Sequence, residues 1–168
     1  MLLEVEGVNV NLTHNKNGET ALYCACEKGR FEVVCLLLQN KDIKVNLGPT
    51  ESNISGITPL YIACQKGHSP VIDLLLQQND IDVNLADING VTPLIVAIVN
   101  DRRRNYLTNS SESEQLDRRP CFSQVIYYLL LQQNGIDVNL ATTEHITPLC
   151  IANLQDNFPL VELLNTLY

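Results

Sequence analysis

The sequence is poor in aromatic residues. Its 168 residues include no tryptophan, three phenylalanines and one methionine, and aromatic residues make up 5% of the chain. Strands and sandwich cores favour aromatic and β-branched residues, so this profile suits a helical core of Leu, Val, Ile and Ala better. The hydrophobic share of 45% allows a sizeable core, and the length fits a single domain. The composition therefore favours one helix-rich domain.

Positive charge is also scarce. The chain has 11 Lys and Arg against 19 Asp and Glu, which gives a net charge of −8. Nucleic acids and anionic membranes require a basic surface, so neither is expected as a partner. Five of the basic residues, all arginines, lie close together between positions 102 and 119. The rest of the chain is therefore more acidic than the total suggests.

The chain has no long apolar run that would indicate a transmembrane helix or a signal peptide. We therefore expect a cytoplasmic, reducing location, or the host cytosol if the protein is delivered by a microbe. Six cysteines are present. Four fall in predicted helices and are expected to be buried, free and packed as small apolar residues rather than paired in disulfides: Cys24, Cys26, Cys64 and Cys150.

The strongest pattern is internal repetition. A Thr-x-Leu phrase begins at Thr20, Thr58, Thr92 and Thr147, at intervals of 38, 34 and 55 residues. A Val-Asn-Leu phrase and a triple leucine recur in step with it; the asparagines of the former are Asn11, Asn46, Asn84 and Asn139. Both phrases place the extra residues of the longest interval at about 102–121. Repetition at this period predicts stacked units that share one core.

Each unit predicts a turn followed by two short helices. In the second unit, Gly56 permits a turn with positive φ, Thr58 can cap a helix, and Pro59 suits the first helical position. Gly67 predicts a left-handed helix end, and a second helix is expected from Ser69 to about residue 78. Helices of this length are not stable alone, so stacking must bury their apolar faces.

The order of turn glycine, Thr-Pro-Leu, short helix, glycine, Leu-rich helix and Val-Asn resembles the ankyrin repeat family over nearly the whole chain. The resemblance implies an all-α solenoid with hairpin-like turn tips. It divides the chain into a half-repeat and four units, with an insertion at about 102–121 in unit 3 and a degenerate unit 4: residues 1–14, 15–52, 53–86, 87–141 and 142–168. The half-repeat at residues 1–14 has two interpretations: either the chain is a fragment of a longer array, or the protein begins with a half-repeat that acts as a minimal cap.

The chain departs from the family pattern at two kinds of position. The histidine that usually follows Thr-Pro-Leu is replaced by Tyr23, Tyr61, Ile95 and Cys150; a tyrosine can partly serve the same hydrogen-bonding role, whereas Ile and Cys cannot. In unit 4, His145 stands at the turn-glycine position and Asp156 at the helix-ending glycine position. A degenerate unit at the edge of a solenoid is expected, because one of its faces meets water.

The insertion has three open interpretations. Its polar, apolar-poor middle predicts a flexible segment, which could be a docking arm or a loop that is simply tolerated. It could also be regulatory, because Ser111 with Glu114 three residues later suits an acid-directed kinase.

No residue pattern indicates catalysis, a cofactor or a metal. The three histidines, His14, His68 and His145, lie in different units, and Cys24 and Cys26 point to different faces of one helix. No glycine spacing resembles a phosphate-binding loop. We therefore predict a protein that is not an enzyme, with no cofactor and no metal.

The resemblance implies a partner-binding concave surface, built from the turn tips and the exposed side of the first helices. The candidate positions are Lys16, Asn17, Glu19, Ile54, Ser55, Ile57, Lys66, Ile88, Asn89, Val91, Val99, Glu144 and Ile146. Their apolar members either form an exposed strip, which would mark an interaction site, or pack on neighbouring turns and leave single exposed residues.

The leading hypothesis is a monomeric scaffold or adaptor that binds a partner protein or peptide on this surface. One alternative is a recruitment module of a larger protein, such as a microbial effector delivered into a host. Another is a substrate for asparagine hydroxylation at Asn46, Asn84 and Asn139, positions that the family resemblance implies. Hydrogen bonding within the hairpin loop is the expected structural role of these asparagines.

Overall fold

The computed structural model describes residues 9–14, 17–50, 55–108, 129 and 135–167, and gives only the helical backbone for residues 101–108. These residues form a short β-hairpin followed by pairs of helices. The strands are β1 (Thr13–His14) and β2 (Glu19–Thr20). The helices are α1 (Ala21–Glu27), α2 (Phe31–Leu38), α3 (Pro59–Lys66), α4 (Ser69–Leu76), α5 (Pro93–Thr108), α6 (Pro148–Leu154) and α7 (Phe158–Leu167).

The β-hairpin forms the turn tip of unit 1. Thr13 pairs with Thr20 and His14 with Glu19 in antiparallel register. Thr20 ends β2 and also caps α1, because its hydroxyl accepts a hydrogen bond from the Tyr23 amide. The hairpin therefore leads directly into the first helix.

A threonine cap starts the first helix of every unit, as the Thr-x-Leu phrase predicts. The hydroxyl oxygens of Thr58, Thr92 and Thr147 accept from the amides three residues later at 3.1, 3.3 and 3.2 Å. A proline follows each of these threonines at the first helical position, where its missing N–H has no helical partner to lose. This prediction is confirmed.

The units also share positive-φ residues where the repeat pattern requires them. Gly56 has φ 86° in the turn of unit 2, and Gly67 has φ 75° at the end of α3. In unit 4 the same two positions are held by His145, with φ 62°, and by Asp156, with φ 54°. The backbone geometry is therefore kept in unit 4 although the glycines that make it easy are absent.

The helices stack in two layers. The first helices α1, α3, α5 and α6 contact one another in that order, while α2 packs on α1 and α4, and α7 packs on α6. Between the layers lies one core, in which Leu22, Leu60, Leu94 and Leu164 are almost completely buried. Burying a leucine side chain contributes roughly 2 kcal/mol, so the shared core, rather than any single helix, holds the stack together.

Helix α5 is longer than expected. It spans 16 residues, whereas α3 spans 8, so it continues through the first part of the insertion predicted at 102–121. The reason is local: the position of the helix-ending Gly67 is occupied in unit 3 by Asp101, and nothing in 102–107 forces a stop. The remainder of the insertion, including Ser111, lies outside the described residues. Helix α4, by contrast, ends at Leu76, before the predicted end at about residue 78.

Within the described residues, no helix has the length and apolar character needed to cross a membrane. Unit 3 contributes to the second layer through Leu129, which is helical and fully buried. The rest of the triple leucine at 129–131 lies outside the described residues.

Candidate functional site

A cleft of about 540 Å³ opens between the first helices of units 2 to 4 and the turn tips of units 3 and 4. We call it the α5–α6 cleft. Five of the predicted partner-binding residues line it together, from two tips and one helix: Asn89, Val91, Val99, Glu144 and Ile146. It therefore lies on the surface expected to be concave. A volume of this size is within the range of ligand-binding pockets.

The walls of the α5–α6 cleft are largely aliphatic. Ile95 is only 2% exposed, whereas Val99 is 40% and Leu154 is 71% exposed. Ile146 and Ile151 are half-buried between them. Sequence reasoning placed Leu154 on this face, but it missed Ile95 and Ile151 as site residues, because both have an unremarkable place in a helix pattern and only the fold brings them to the cleft.

One repeat position beside the cleft differs between units 2 and 3. In unit 2 the buried Tyr61 reaches the tip of unit 3, where its hydroxyl donates to Asp87 Oδ2 at 3.2 Å. The same position in unit 3 holds Ile95, and the residue that corresponds to Asp87 is Thr142. The Ile95 side chain is shorter than a tyrosine and has no polar atom, so it forms no such link to Thr142. The prediction that a tyrosine can partly serve the hydrogen-bonding role of the family histidine is thus confirmed for Tyr61, but not for Tyr23, whose hydroxyl bonds to none of the described residues.

The two tips that border the α5–α6 cleft are held by matching hydrogen bonds. Asp87 Oδ1 accepts from the amides of Asn89 and Val91, both at 2.9 Å. In unit 4, Thr142 Oγ1 accepts from the Ile146 amide at 3.2 Å. The Thr143 amide donates to the Asn89 carbonyl at 2.8 Å and joins the two tips. These hydrogen bonds therefore hold the backbone of the two turn tips at the rim of the cleft in place.

Side chains also tie the cleft's helices together. Asn100 Nδ2 donates to the Gln65 carbonyl, and Gln155 Nε2 donates to the Ile98 carbonyl, each at 3.2 Å. Both bonds join a first helix to the preceding one. They brace the floor of the cleft without using its apolar walls, so the apolar walls remain available to a ligand.

Charge at the α5–α6 cleft is sparse and negative. Glu144 is exposed on the rim, and the described lining contains no Lys, Arg or His. Asp87 lies just behind Tyr61. Burial and the neighbouring Asp87 carboxylate raise the pKa of the Tyr61 hydroxyl, so this group stays a neutral donor. The cleft thus offers an apolar surface with a negative edge.

The expected strip of exposed apolar tips is not continuous. Ile88 is 54% exposed, but Ile57 and Val91 are half-buried and pack against the core. Ile146 is also half-buried. Of the two open interpretations, the half-burial of these three residues favours packing over an exposed strip, and it leaves Ile88 as a single exposed residue. Ile54 and Lys16 lie outside the described residues.

The other candidate positions lie away from the α5–α6 cleft. Asn17 Nδ2 donates to Glu19 Oε1 at 3.1 Å, and Cys24 Sγ donates to Glu19 Oε2 at 3.6 Å, all within unit 1. Ser55 lines a separate depression of about 370 Å³ beside Asn46. Lys66 is exposed at the end of α3.

The Val-Asn asparagines bridge successive units, which corrects the expectation of hydrogen bonds within one loop. Asn46 Nδ2 donates to the Asp80 carbonyl at 2.7 Å, and its Oδ1 accepts from the Asp82 amide at 3.0 Å. Asn11 and Asn84 make the same two bonds to the next unit. We call this the asparagine ladder. Asn139 is exposed, and its side chain bonds to no residue in the described part of the chain.

His68 also has a structural role, as its place after a helix-ending glycine suggests. Its Nε2 lies 3.1 Å from the Glu27 carbonyl oxygen in the preceding unit. A carbonyl can only accept, so Nε2 carries the proton. The ring therefore joins units 1 and 2.

The described cysteines are all free, and they differ in environment. Burial raises the pKa of Cys26 to about 12 and raises that of Cys64 as well. Cys150 is exposed, which is contrary to expectation, because no described unit follows to cover its side of α6. A hydrogen bond from the Thr147 hydroxyl lowers the pKa of Cys150. Among the described residues, no three His, Cys, Asp or Glu side chains are grouped to hold a metal.

These features define a helical-repeat solenoid: capped helix pairs, positive-φ turns and an inter-unit asparagine ladder. In a comparison with protein families, residues 44–109 match the family described as "Ankyrin repeats (3 copies)", and residues 1–38 match the family described as "Ankyrin repeats (many copies)". The chain belongs to the ankyrin repeat family. Ankyrin repeats are generally protein–protein interaction modules, and no enzymatic domain is detected in the chain. No curated protein matches the sequence.

Proposed function

We propose that this protein is a non-catalytic scaffold or adaptor that binds a partner protein or peptide in the α5–α6 cleft and on the adjoining turn tips. The observation that carries the proposal is the cleft itself. Five residues selected from the repeat pattern converge on its lining, and aliphatic walls meet a polar rim there. Interfaces are commonly organised in this way, with an apolar centre and a hydrated edge.

Rigidity supports the same proposal. The asparagine ladder, the Tyr61–Asp87 bond and the bond between the two tips hold the units in fixed positions. A preformed surface loses little conformational entropy on binding, which leaves more of the contact free energy for affinity. A few apolar anchors would then be enough for a stable complex.

The proposal also includes the cellular location and the oligomeric state of the protein. We place the protein in the cytoplasm, because Cys26 and Cys64 are buried free thiols and a reducing compartment keeps such residues unpaired. We take the protein to act as a monomer whose partner is a different polypeptide.

The test is a comparison of partner capture between two matched variants. The cleft variant replaces three exposed apolar side chains around the α5–α6 cleft with serine: Ile88, Val99 and Leu154. The control variant does the same for three exposed apolar residues of α2 in the second-helix layer: Phe31, Val33 and Leu36. The half-buried Ile57 and Val91 are left intact, since serine there would damage the core.

Each immobilised protein is incubated with cytosolic extract, and bound proteins are quantified by mass spectrometry after equal helicity and melting have been verified. The proposal predicts a partner that the intact chain and the α2 variant retain and the cleft variant loses. Equal retention by both variants would contradict the placement. Loss with the α2 variant alone would move the binding surface to the second-helix layer.

A further inference from the structure

We propose that unit 4 opens and closes as one cooperative piece while units 1 and 2 stay folded, and that the α5–α6 cleft is complete only when unit 4 is closed. A partner that binds in the cleft then closes unit 4, and the fraction of closed molecules sets the apparent affinity. This inference rests on the proposed function and adds a conformational step that regulates the same site.

Unit 4 supplies a large part of the lining of the α5–α6 cleft. Its contribution comes from the turn tip and from α6, and it comprises six residues: Thr142, Thr143, Glu144, Ile146, Ile151 and Leu154. The other lining residues belong to units 2 and 3. Opening of unit 4 removes one wall of the cleft, so a ligand of the cleft binds only the closed form.

Unit 4 buries less apolar surface at its core positions than the units before it. The leucine two positions after the capping threonine is almost completely buried in units 1 to 3, whereas Leu149 at this position is half-buried. Cys26, Cys64 and Ile98 are 0% exposed at a position that unit 4 fills with an exposed asparagine. The carboxamide of this residue, Asn153, donates to the Leu149 carbonyl of its own helix at 2.9 Å. Less hydrophobic free energy therefore holds this unit in place.

The junction between units 3 and 4 lacks two links that join units 2 and 3. At the earlier junction, Asn84 makes two ladder bonds, and the Tyr61 hydroxyl donates to the tip of unit 3. At the later junction, the Ile95 side chain has no polar atom, and the side chain of Asn139 bonds to none of the described residues. Unit 4 keeps the bond between the two tips and the bond from Gln155. Among the described residues, fewer side-chain bonds therefore attach unit 4 than attach unit 3.

Backbone strain adds to this difference. His145 and Asp156 have φ values of 62° and 54° at the two positions that carry Gly56 and Gly67 in unit 2. A side chain with positive φ costs conformational free energy in the folded unit, and opening releases that cost. Each unit of a solenoid is stabilised by its own core and by its junctions with neighbours. A unit with a smaller core, a sparser junction and strained turns therefore opens before the others.

Hydrogen–deuterium exchange of the free intact chain, resolved by residue with NMR at low urea concentrations, tests the opening itself. We expect the amides of α6 to be at least about tenfold less protected than those of α3, and their exchange to depend less on urea because only part of the chain unfolds. Asn46→Ala should lower the protection of α3 about tenfold or more and leave that of α6 unchanged, because the open form of unit 4 still contains the junction of units 1 and 2.

The step that links opening to binding is tested by the same substitution at one repeat position in two units. Leu164 of α7 is fully buried and does not line the cleft, and Leu37 of α2 is its buried equivalent in unit 1. Leu164→Ala should open unit 4 and reduce capture of the partner from cytosolic extract about tenfold or more. Leu37→Ala should leave capture unchanged. Exchange of the α3 amides verifies that unit 2 stays folded in both variants.

Equal protection and equal urea dependence of the α6 and α3 amides would overturn the proposal, and so would an equal loss of protection in both helices on Asn46→Ala. Full capture by Leu164→Ala, with its unit 4 shown to be open by exchange, would overturn the link to binding. The proposed function survives each of these results if replacing Ile88, Val99 and Leu154 with serine still abolishes capture. It fails separately if that variant keeps the partner, whatever the exchange of the free chain shows.

Discussion

The Tyr61 hydroxyl donates a hydrogen bond to Asp87 Oδ2 at 3.2 Å and so joins the first helix of unit 2 to the turn tip of unit 3. One unit later, Ile95 and Thr142 occupy the same two positions without such a bond. The contrast separates two roles within one repeat pattern. The earlier junction is joined by this side-chain bond, whereas the later one has no such bond and borders the α5–α6 cleft.

Tyr61→Phe should destabilise the protein by about 1 kcal/mol, because one hydrogen bond is lost while Asp87 keeps its two backbone donors. Urea unfolding followed by helical circular dichroism measures the change. Tyr23→Phe is the matched control, since the Tyr23 hydroxyl bonds to none of the described residues, and it should shift stability by less than about 0.5 kcal/mol. Equal effects of the two changes would show that the Asp87 bond is not the cause.

Asn46→Ala and Asn84→Ala should each cost about 1–3 kcal/mol, because each removes a donor and an acceptor that bridge two units. Asn139→Ala changes the same residue type in the same local sequence, but its side chain has no such bonds within the described residues. It should therefore cost less than about 0.5 kcal/mol. The urea concentrations at the unfolding midpoints of the three variants test whether the asparagine ladder stabilises the protein. A loss of stability in Asn139→Ala similar to that in the other two variants would contradict this role.

His145→Gly and Asp156→Gly should each stabilise the protein by about 0.5–1 kcal/mol, because both residues hold a positive φ that glycine adopts without strain. Thermal melting of the single variants measures the gain. Gly56→Ala should have the opposite effect, since its φ is 86° and an added Cβ would lie 2.5 Å from the Ala86 carbonyl oxygen. If His145→Gly and Asp156→Gly both destabilised the protein, the His145 and Asp156 side chains would have to make contacts whose loss outweighs the relief of backbone strain.

Stability should fall in alkaline solution. The Cys26 thiol has an ordinary pKa of 9.0 that burial raises to about 12. The Tyr23 pKa is raised from 10.0 to about 12, mainly by burial and then by Glu27 and Glu19. The unfolded chain therefore releases these protons first. These two groups therefore leave the free energy of unfolding undiminished below about pH 9. They lower it as the pH rises toward 12, by up to about 1.4 kcal/mol per pH unit for each group.

Urea unfolding with a reductant present, repeated from neutral pH to about pH 11, tests this dependence. Cys26→Ala is the informative variant, because it removes one buried titrating thiol while leaving Tyr23 in place. In this variant the number of protons released on unfolding above about pH 9 should be smaller by about one, so the free energy of unfolding should fall less steeply with pH. The buried thiol would be ruled out as a cause if the free energy of unfolding of Cys26→Ala fell with pH as steeply as that of the intact chain. It would also be ruled out if the free energy of unfolding of the intact chain did not change with pH.

Local sequence patterns predicted the parts of the fold that depend on a few adjacent residues. Thr58 with Pro59 specifies a helix start, and Gly67 specifies its end, and both are found as predicted. The substitutions at His145 and Asp156 were also placed correctly, because the repeat register fixes their backbone geometry. Boundaries without such a signal were less predictable: with no glycine at position 101, α5 continued to Thr108.

Features that depend on contacts between units were not predictable from one unit's sequence. The sequence left open whether Ile57 and Val91 are exposed or packed on neighbouring turns, and the fold shows that they pack against the core. Asn46 bonds to Asp80 and Asp82, 34 and 36 residues away. The α5–α6 cleft is lined by residues of three units, from Tyr61 to Leu154, so no single unit's sequence could predict it.

The most direct test of the central claim is the hydrogen–deuterium exchange footprint of a captured partner on the intact chain. Binding in the α5–α6 cleft predicts slower exchange in residues 88–100 and 141–155 and unchanged exchange in α2. Protection confined to α2 and α4, with exchange around the cleft unaltered, would contradict the account and place the interaction surface on the second-helix layer.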